Sequence, residues 1–188
     1  MKNVKWLQMV LVTGILMLSN VVNAQKDFTL VTNPSLEISG TSSLHDWEMK
    51  SSKATGSAKM TLNGNDLSSI SSLSITMIAE TLESGKNAMD KKAFEAMKTD
   101  KYKSVSFVLS SAKKNSDGSW NLTGNFTIAG SKKSVTVKAT ENVSNGVVQL
   151  KGTYSFKLTD YGITPPKALA GTIKTGDAVK ISFNVKFK

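Results

Sequence analysis

Val179-Lys180-Ile181-Ser182-Phe183-Asn184-Val185-Lys186-Phe187 alternates apolar and polar residues without a break. Successive side chains on a strand point to opposite faces, so this stretch is a β-strand with one dry face and one wet face. The same two-residue period recurs upstream. Leu73, Ile75, Met77 and Ala79 share one face of a strand over 69–80, and Val105, Phe107 and Leu109 share one face over 104–113. Trp120, Leu122, Phe126 and Ile128 alternate with polar partners over 119–129, as do Val135, Val137 and Ala139 over 133–143. Further strands are read over 27–38, 44–49, 53–62 and 147–158, with Asn33-Pro34 a bulge or edge position in the first. Asn63-Gly64-Asn65-Asp66, Asn115-Ser116-Asp117-Gly118 and Asn145-Gly146 are turn signals, the last being the strongest hairpin signal in the chain.

The period changes once. Met89, Ala93, Phe94 and Met97 recur at spacings of three and four, which predicts a short amphipathic helix over about 87–98. It is too short to stand alone and must pack on something. A long loop over about 159–175, containing Pro165-Pro166, precedes the final strand.

These elements predict an all-β fold of about eight antiparallel strands with one short α-helix. Such strands need their edges paired, and closure into a barrel is the usual solution. Gly56, Gly124 and Gly152 lie inside strands, where glycine permits sharp bending. A two-sheet sandwich shares these signals. A barrel of this size is just wide enough either to fill with side chains or to hold one small ligand.

The first residues read as a secretory leader. Lys2 and Lys5 form a basic start, 7–18 is mostly apolar, and Val22-Asn23-Ala24 is a small-residue cleavage site. The expected division is a signal peptide over 1–24 and one domain over 25–188, placing the protein in the bacterial periplasm or outside the cell. The chain has no cysteine, so an exported domain must be held by its core alone. Setting aside the two leader lysines leaves 22 basic and 14 acidic residues, a net charge of +8. The lysines are scattered over polar strand faces, which reads as a solvated surface, with transient attraction to anionic membrane surfaces second. Nucleic acid is not an expected partner, because a chain without arginine lacks the usual bidentate base reader. Oligomeric state is not legible.

Catalytic equipment is sparse. His45 is the only histidine, and Asp46 and Glu48 stand beside it. One histidine with two carboxylates and no soft ligand is not a zinc set, and on a strand His45 faces away from Asp46. A hydrogen-bonding role in the structure or at a cavity mouth is the expected one. No Gly-x-Ser-x-Gly elbow and no phosphate-cradling glycine loop occurs. No catalytic residue, metal ligand or cofactor is therefore predicted. An enzyme using His45 remains the least favoured reading.

One ordered set of motifs is informative. It runs from Ser39-Gly40-Thr41-Ser42-Ser43-Leu44-His45-Asp46-Trp47 through Glu80-Thr81-Leu82-Glu83-Ser84-Gly85 to Lys101-Tyr102-Lys103-Ser104-Val105-Ser106-Phe107. It continues with Leu122-Thr123-Gly124-Asn125-Phe126-Thr127-Ile128-Ala129-Gly130 and Leu158-Thr159-Asp160-Tyr161-Gly162-Ile163. In this order the chain resembles the YceI-like family of secreted, lipocalin-like, polyisoprenoid-binding proteins. The resemblance implies an extended antiparallel barrel with a long apolar cavity for an isoprenoid chain of the quinone or polyprenyl kind. Many relatives carry an arginine shortly before the Asp-aromatic-Gly-Ile motif; here Phe156, Lys157, Leu158 and Thr159 stand there. Lysine is a point charge rather than a planar fork, so a pyrophosphate head group is less secure here than the tail.

The expected cavity lining is Ile75, Met77, Met89, Phe94, Phe107, Trp120, Phe126, Ile128, Tyr154, Phe156 and Phe183, with His45, Asp160 and Tyr161 at the mouth. Asp160-Tyr161-Gly162 reads equally as a turn that fixes the long loop. By pattern alone the aromatic residues fill a solid core, since packed interiors are the rule; the resemblance reverses that preference. The expected function is sequestration or carriage of an isoprenoid or other long-chain lipid, without catalysis. The alternative is a filled-barrel module that binds another envelope protein.

Overall fold

In the computed structural model, which describes residues 25–188, the alternating C-terminal stretch lies in the longest strand, Ile173–Phe187. Eleven strands occur among the described residues. They are β1 (Lys26–Thr29), β2 (Ser35–Ser42), β3 (Trp47–Ser51), β4 (Ala54–Asn63), β5 (Asp66–Ile78), β6 (Ser104–Lys114), β7 (Trp120–Ile128), β8 (Ser131–Ser144), β9 (Val147–Lys157), β10 (Lys167–Ala168) and β11 (Ile173–Phe187). The one α-helix among the described residues, α1, spans Asn87–Met97 between β5 and β6. The expected leader over 1–24 lies outside the described residues.

The eleven reduce to a closed antiparallel barrel. The strand order is β1-β4-β5-β6-β7-β8-β9-β11-β2-β3. β1 and β2 are two halves of one bent strand, as are β3 and β4, because β1 pairs with β4 and β2 with β3 in nearly one register. The bend in the first falls at Asn33, whose φ is 60°, just before Pro34. This is where the sequence marked a bulge or edge position. Closure is made by backbone bonds between the β1 segment and the end of β11. Thr29 N–H donates to Lys188 O at 2.8 Å, Lys188 N–H to Thr29 O at 2.9 Å, and Val31 N–H to Lys186 O at 2.8 Å. No long edge is then left exposed.

The two ends of the barrel differ. The hairpins β4–β5, β6–β7 and β8–β9 turn at one end. There Phe28, Met60, Leu67, Trp120, Val148 and Phe187 pack into a dry floor. Asn145 and Gly146 both take left-handed φ, 51° and 74°, as the tight β8–β9 hairpin requires. Two bulges on β5, at Ser71 and Ser68, break the simple alternation, so Leu73, Ile70 and Leu67 all point inward at a spacing of three. Periodicity alone placed the start of this strand late and missed Leu67 and Ile70.

The floor is closed by a polar cluster on inward positions. Glu141, in phase with Val137 and Ala139, accepts a hydrogen bond from the buried Trp120 indole N–H. It also binds Lys114 Nζ at 3.0 Å, and Lys114 reaches Asp66 at 2.6 Å and Leu67 O at 3.0 Å. Lys114 points inward because a bulge at Ser110 shifts the phase of β6. These bonds hold its ammonium above the ordinary lysine pKa, Asp66 contributing most. A charged lid of this kind admits no chain through the floor.

Candidate ligand-binding cavity

The interior above the floor is open because four inward positions carry no side chain. Gly40, Gly56, Gly124 and Gly152 all face the barrel axis, and neighbouring side chains lie over them along the wall. A Cβ on Gly124 would stand 2.6 Å from the Phe107 ring, and one on Gly152 would stand 2.6 Å from the Phe183 ring. The two phenyl rings thus fold sideways onto glycine instead of reaching the axis. Trp47 does the same over Gly40, with its indole N–H donating to Thr41 O at 2.9 Å.

An inner cavity of about 170 Å³ results. Among its walls are Ile75, Met77, Phe107, Phe126, Ile128, Tyr154, Phe156 and Phe183, and beside Glu37 and Ser106 every wall residue is apolar or aromatic. Such a space repels water, as an engineered apolar cavity of similar size stays dry and admits an apolar guest. An outer cavity of about 320 Å³ adjoins it, and Ile38, Leu82, Met97, Leu158 and Ile163 border both. Together the two fall in the range of about 300–1,000 Å³ typical of small-molecule sites.

Helix α1 roofs the outer cavity with Met89, Ala93, Ala96 and Met97. Its own packing is light: Asp90 is its one buried residue. The helix is pinned by polar bonds at its two ends. Ser84 N–H donates to Asp90 Oδ1 at 2.7 Å, and Thr99 Oγ1 donates to Glu80 Oε1 at 2.7 Å. Lys98 ends the helix in a left-handed conformation. The rest of the outer cavity's border mixes polar residues, Ser42, His45, Lys86, Lys92, Lys167 and Thr175, with apolar ones such as Leu44 and Ile173.

Of the residues singled out from sequence, Ile75, Met77, Phe107, Phe126, Ile128, Tyr154, Phe156 and Phe183 face the inner cavity, and Met89 and His45 the outer one. Phe94 is on neither wall. It sits one position off the Met89–Ala93–Ala96 face. Trp120 belongs to the floor, where its N–H is spent on Glu141. Asp160 faces solvent and accepts from the Lys157 N–H at 3.0 Å, so it caps the 3₁₀ turn Leu158–Tyr161. Tyr161 is buried rather than at the mouth, against Phe126 and Phe156 with ring centroids 6.0 and 5.0 Å away. Burial pushes its phenol far above the ordinary tyrosine pKa, and the Tyr154 hydroxyl 3.5 Å away adds to this. The Asp-Tyr-Gly motif is therefore a structural corner, the reading that sequence left open. Asp177 completes it by accepting from Thr159 N–H at 3.0 Å and Oγ1 at 2.7 Å.

His45 lies in the β2–β3 turn, not on a strand. Its Nδ1 is 2.6 Å from Asp46 O, and Ser42 Oγ binds the backbone N–H of both Leu44 and His45. Among the described residues no three metal-ligating side chains converge. Sequence reasoning missed Leu36, Ile38, Leu82, Ile163 and Ile181 on the cavity walls. Leu36, Ile38 and Ile181 stand in strict alternation and were legible; Leu82 and Ile163 lie in turns, where no periodicity marks them.

A YceI-like domain model matches residues 20–187. No functionally curated protein matches the chain. Solved structures share the fold at low identity. BcnA of Burkholderia cenocepacia is 18% identical with a TM-score of 0.65, covering 80% of this chain and 95% of its own. A polyisoprenoid-binding domain from Saccharophagus degradans, implicated in plant cell wall breakdown, is 8% identical with a TM-score of 0.64, covering 86% and 97%. The YceI protein of Campylobacter jejuni is 18% identical with a TM-score of 0.54, covering 71% and 82%.

Proposed function

The chain belongs to the YceI-like family, and from that premise we propose that it binds the tail of an isoprenoid lipid, of the quinone or polyprenyl kind, along the barrel axis. The observation that carries the reading is the pair of adjoining apolar cavities above a charged floor, the outer one bordered by lysines. A tail of about ten methylene equivalents gains roughly 8 kcal/mol on leaving water, before ordering costs. No charged clamp is then required, and the chain's lack of arginine is no obstacle. The inner walls are apolar or aromatic apart from Glu37 and Ser106, which supports carriage or sequestration over a covalent step. The basic, small-residue pattern of 1–24 supports export to the periplasm or beyond, where such a carrier would shield an insoluble tail from water.

Solvent extraction of the purified protein followed by mass spectrometry tests the reading. Isoprenoid recovered in near-stoichiometric amount is the expected result, or its uptake by delipidated protein from a quinone or polyprenyl phosphate added in detergent. Protein that carries none and takes up none overturns it and favours the interaction module.

A further inference from the structure

We propose that the cavity mouth docks on an anionic membrane surface, with Leu44 and Leu169 entering the bilayer interface between lysines that meet the head groups. This deepens the lipid-binding reading and rests on it, by naming where a tail would enter.

Among the described residues four large apolar side chains are exposed, and the two most exposed, Leu169 at 73% and Leu44 at 65%, both stand at the mouth. Leu44 borders the outer cavity itself, and Leu169 follows Lys167 and Ala168, which also border it. Their two loops form one ledge. Ser43 N–H donates to Lys174 O at 2.9 Å, and Lys174 N–H donates to Ser43 Oγ at 3.0 Å.

The backbone at the tip is strained. Leu169, Ala170 and Gly171 take φ of 47°, 54° and 91° in succession. A left-handed leucine is costly, and such strain persists where the surroundings enforce it and clusters at working sites. Here it presents a leucine to solvent instead of to the core.

Charge decides which occupant fits. Lys86, Lys92 and Lys167 border the outer cavity, and Lys174 lies on the ledge. Of these only Lys92 is ion-paired among the described residues, to Glu95 at 2.9 Å. Asp46 is the exposed acidic residue in the Leu44 turn. Apolar tips set among unpaired lysines complement a bilayer bearing anionic lipid, which attracts cations at its surface and accepts apolar side chains just beneath it. A mouth held there lets a tail pass from bilayer to cavity without crossing water.

Co-sedimentation with vesicles of phosphatidylcholine, alone or with phosphatidylglycerol added, tests the docking. The wild-type protein is expected to partition onto the phosphatidylglycerol vesicles and to release as salt is raised. The double variant Leu44→Asp, Leu169→Asp is expected to partition at least about tenfold less, and Lys167→Glu about fivefold less. Val108→Asp, at an exposed apolar site on the outer barrel wall, is expected to change nothing. Circular dichroism verifies that the variants are folded. Docking is overturned if the wild type ignores phosphatidylglycerol vesicles, if the double variant binds as wild type, or if Val108→Asp loses as much. Solvent extraction of the same preparations separates the two claims. Protein that carries isoprenoid yet ignores vesicles refutes docking alone, whereas protein that binds vesicles but never takes up isoprenoid refutes the cavity reading.

Discussion

Replacing Val137 by Phe discriminates an open interior from a filled one by the sign of the effect. Val137 is buried on β8 and faces the inner cavity. In a packed core the added ring would cost about 1–3 kcal/mol through displaced rotamers and backbone. A 170 Å³ cavity, at about 24 cal/mol per Å³, costs the delipidated fold roughly 4 kcal/mol relative to a filled one. Part of that is recovered when the ring enters, and we expect a net gain of about 1 kcal/mol after side-chain ordering. For a domain of this size the midpoint of thermal unfolding should rise by about 2–4 °C. Urea unfolding of delipidated wild-type and variant protein, run side by side, measures the difference. Isoprenoid uptake should fall in the variant, because ring and tail compete for one space. A loss of more than about 1 kcal/mol with uptake unchanged would refute the reasoning, since the walls would then already be interlocked and any lipid would lie elsewhere.

The floor gives a second expectation. Glu141→Ala leaves the buried Trp120 N–H unpartnered and should cost about 2–4 kcal/mol in urea unfolding, while Glu141→Gln keeps an acceptor and should cost less than half as much; equal losses would show that the indole bond is immaterial. Gly152→Val places a Cβ against the Lys138 carbonyl and the Phe183 ring, and should cost at least about 1–3 kcal/mol while reducing uptake. The acid limb of stability is the fourth. Asp117 is held well below the usual carboxylate range, first by the Lys138 ammonium and then by Ser119. Its folded pKa is depressed, so its contribution is present above the unfolded carboxylate value, about pH 4, and is lost as pH falls through the folded value. Asp117→Asn should flatten the fall in thermal midpoint below about pH 4, and an unchanged slope would remove Asp117 from the account.

How much was legible follows from what kind of interaction wrote each feature. Strand positions and the hairpin at Asn145-Gly146 are local: alternation and left-handed φ leave their mark within a few residues. The helix was read at nearly its observed ends for the same reason. The early part of β5 was not, because the bulges that bring Leu67 and Ile70 inward depend on how β4 pairs with it. Trp120 looked like a lining residue since it alternates with Leu122. Only the assembled barrel shows it lying beside Glu141, 21 residues further along the chain, at the closed end.

By itself the chain determined that dry and wet faces alternate, that the sheet is antiparallel, and that glycines interrupt its inward rows. Those are properties of neighbouring residues and of the pleat. Whether the sheet met itself at Thr29 and Lys188, and whether Phe107 and Phe183 would fill the axis or lie back on Gly124 and Gly152, was decided by tertiary structure. A ring's direction is settled by the space opposite it on the next strand, and that partner is named only once the register across the whole sheet is set.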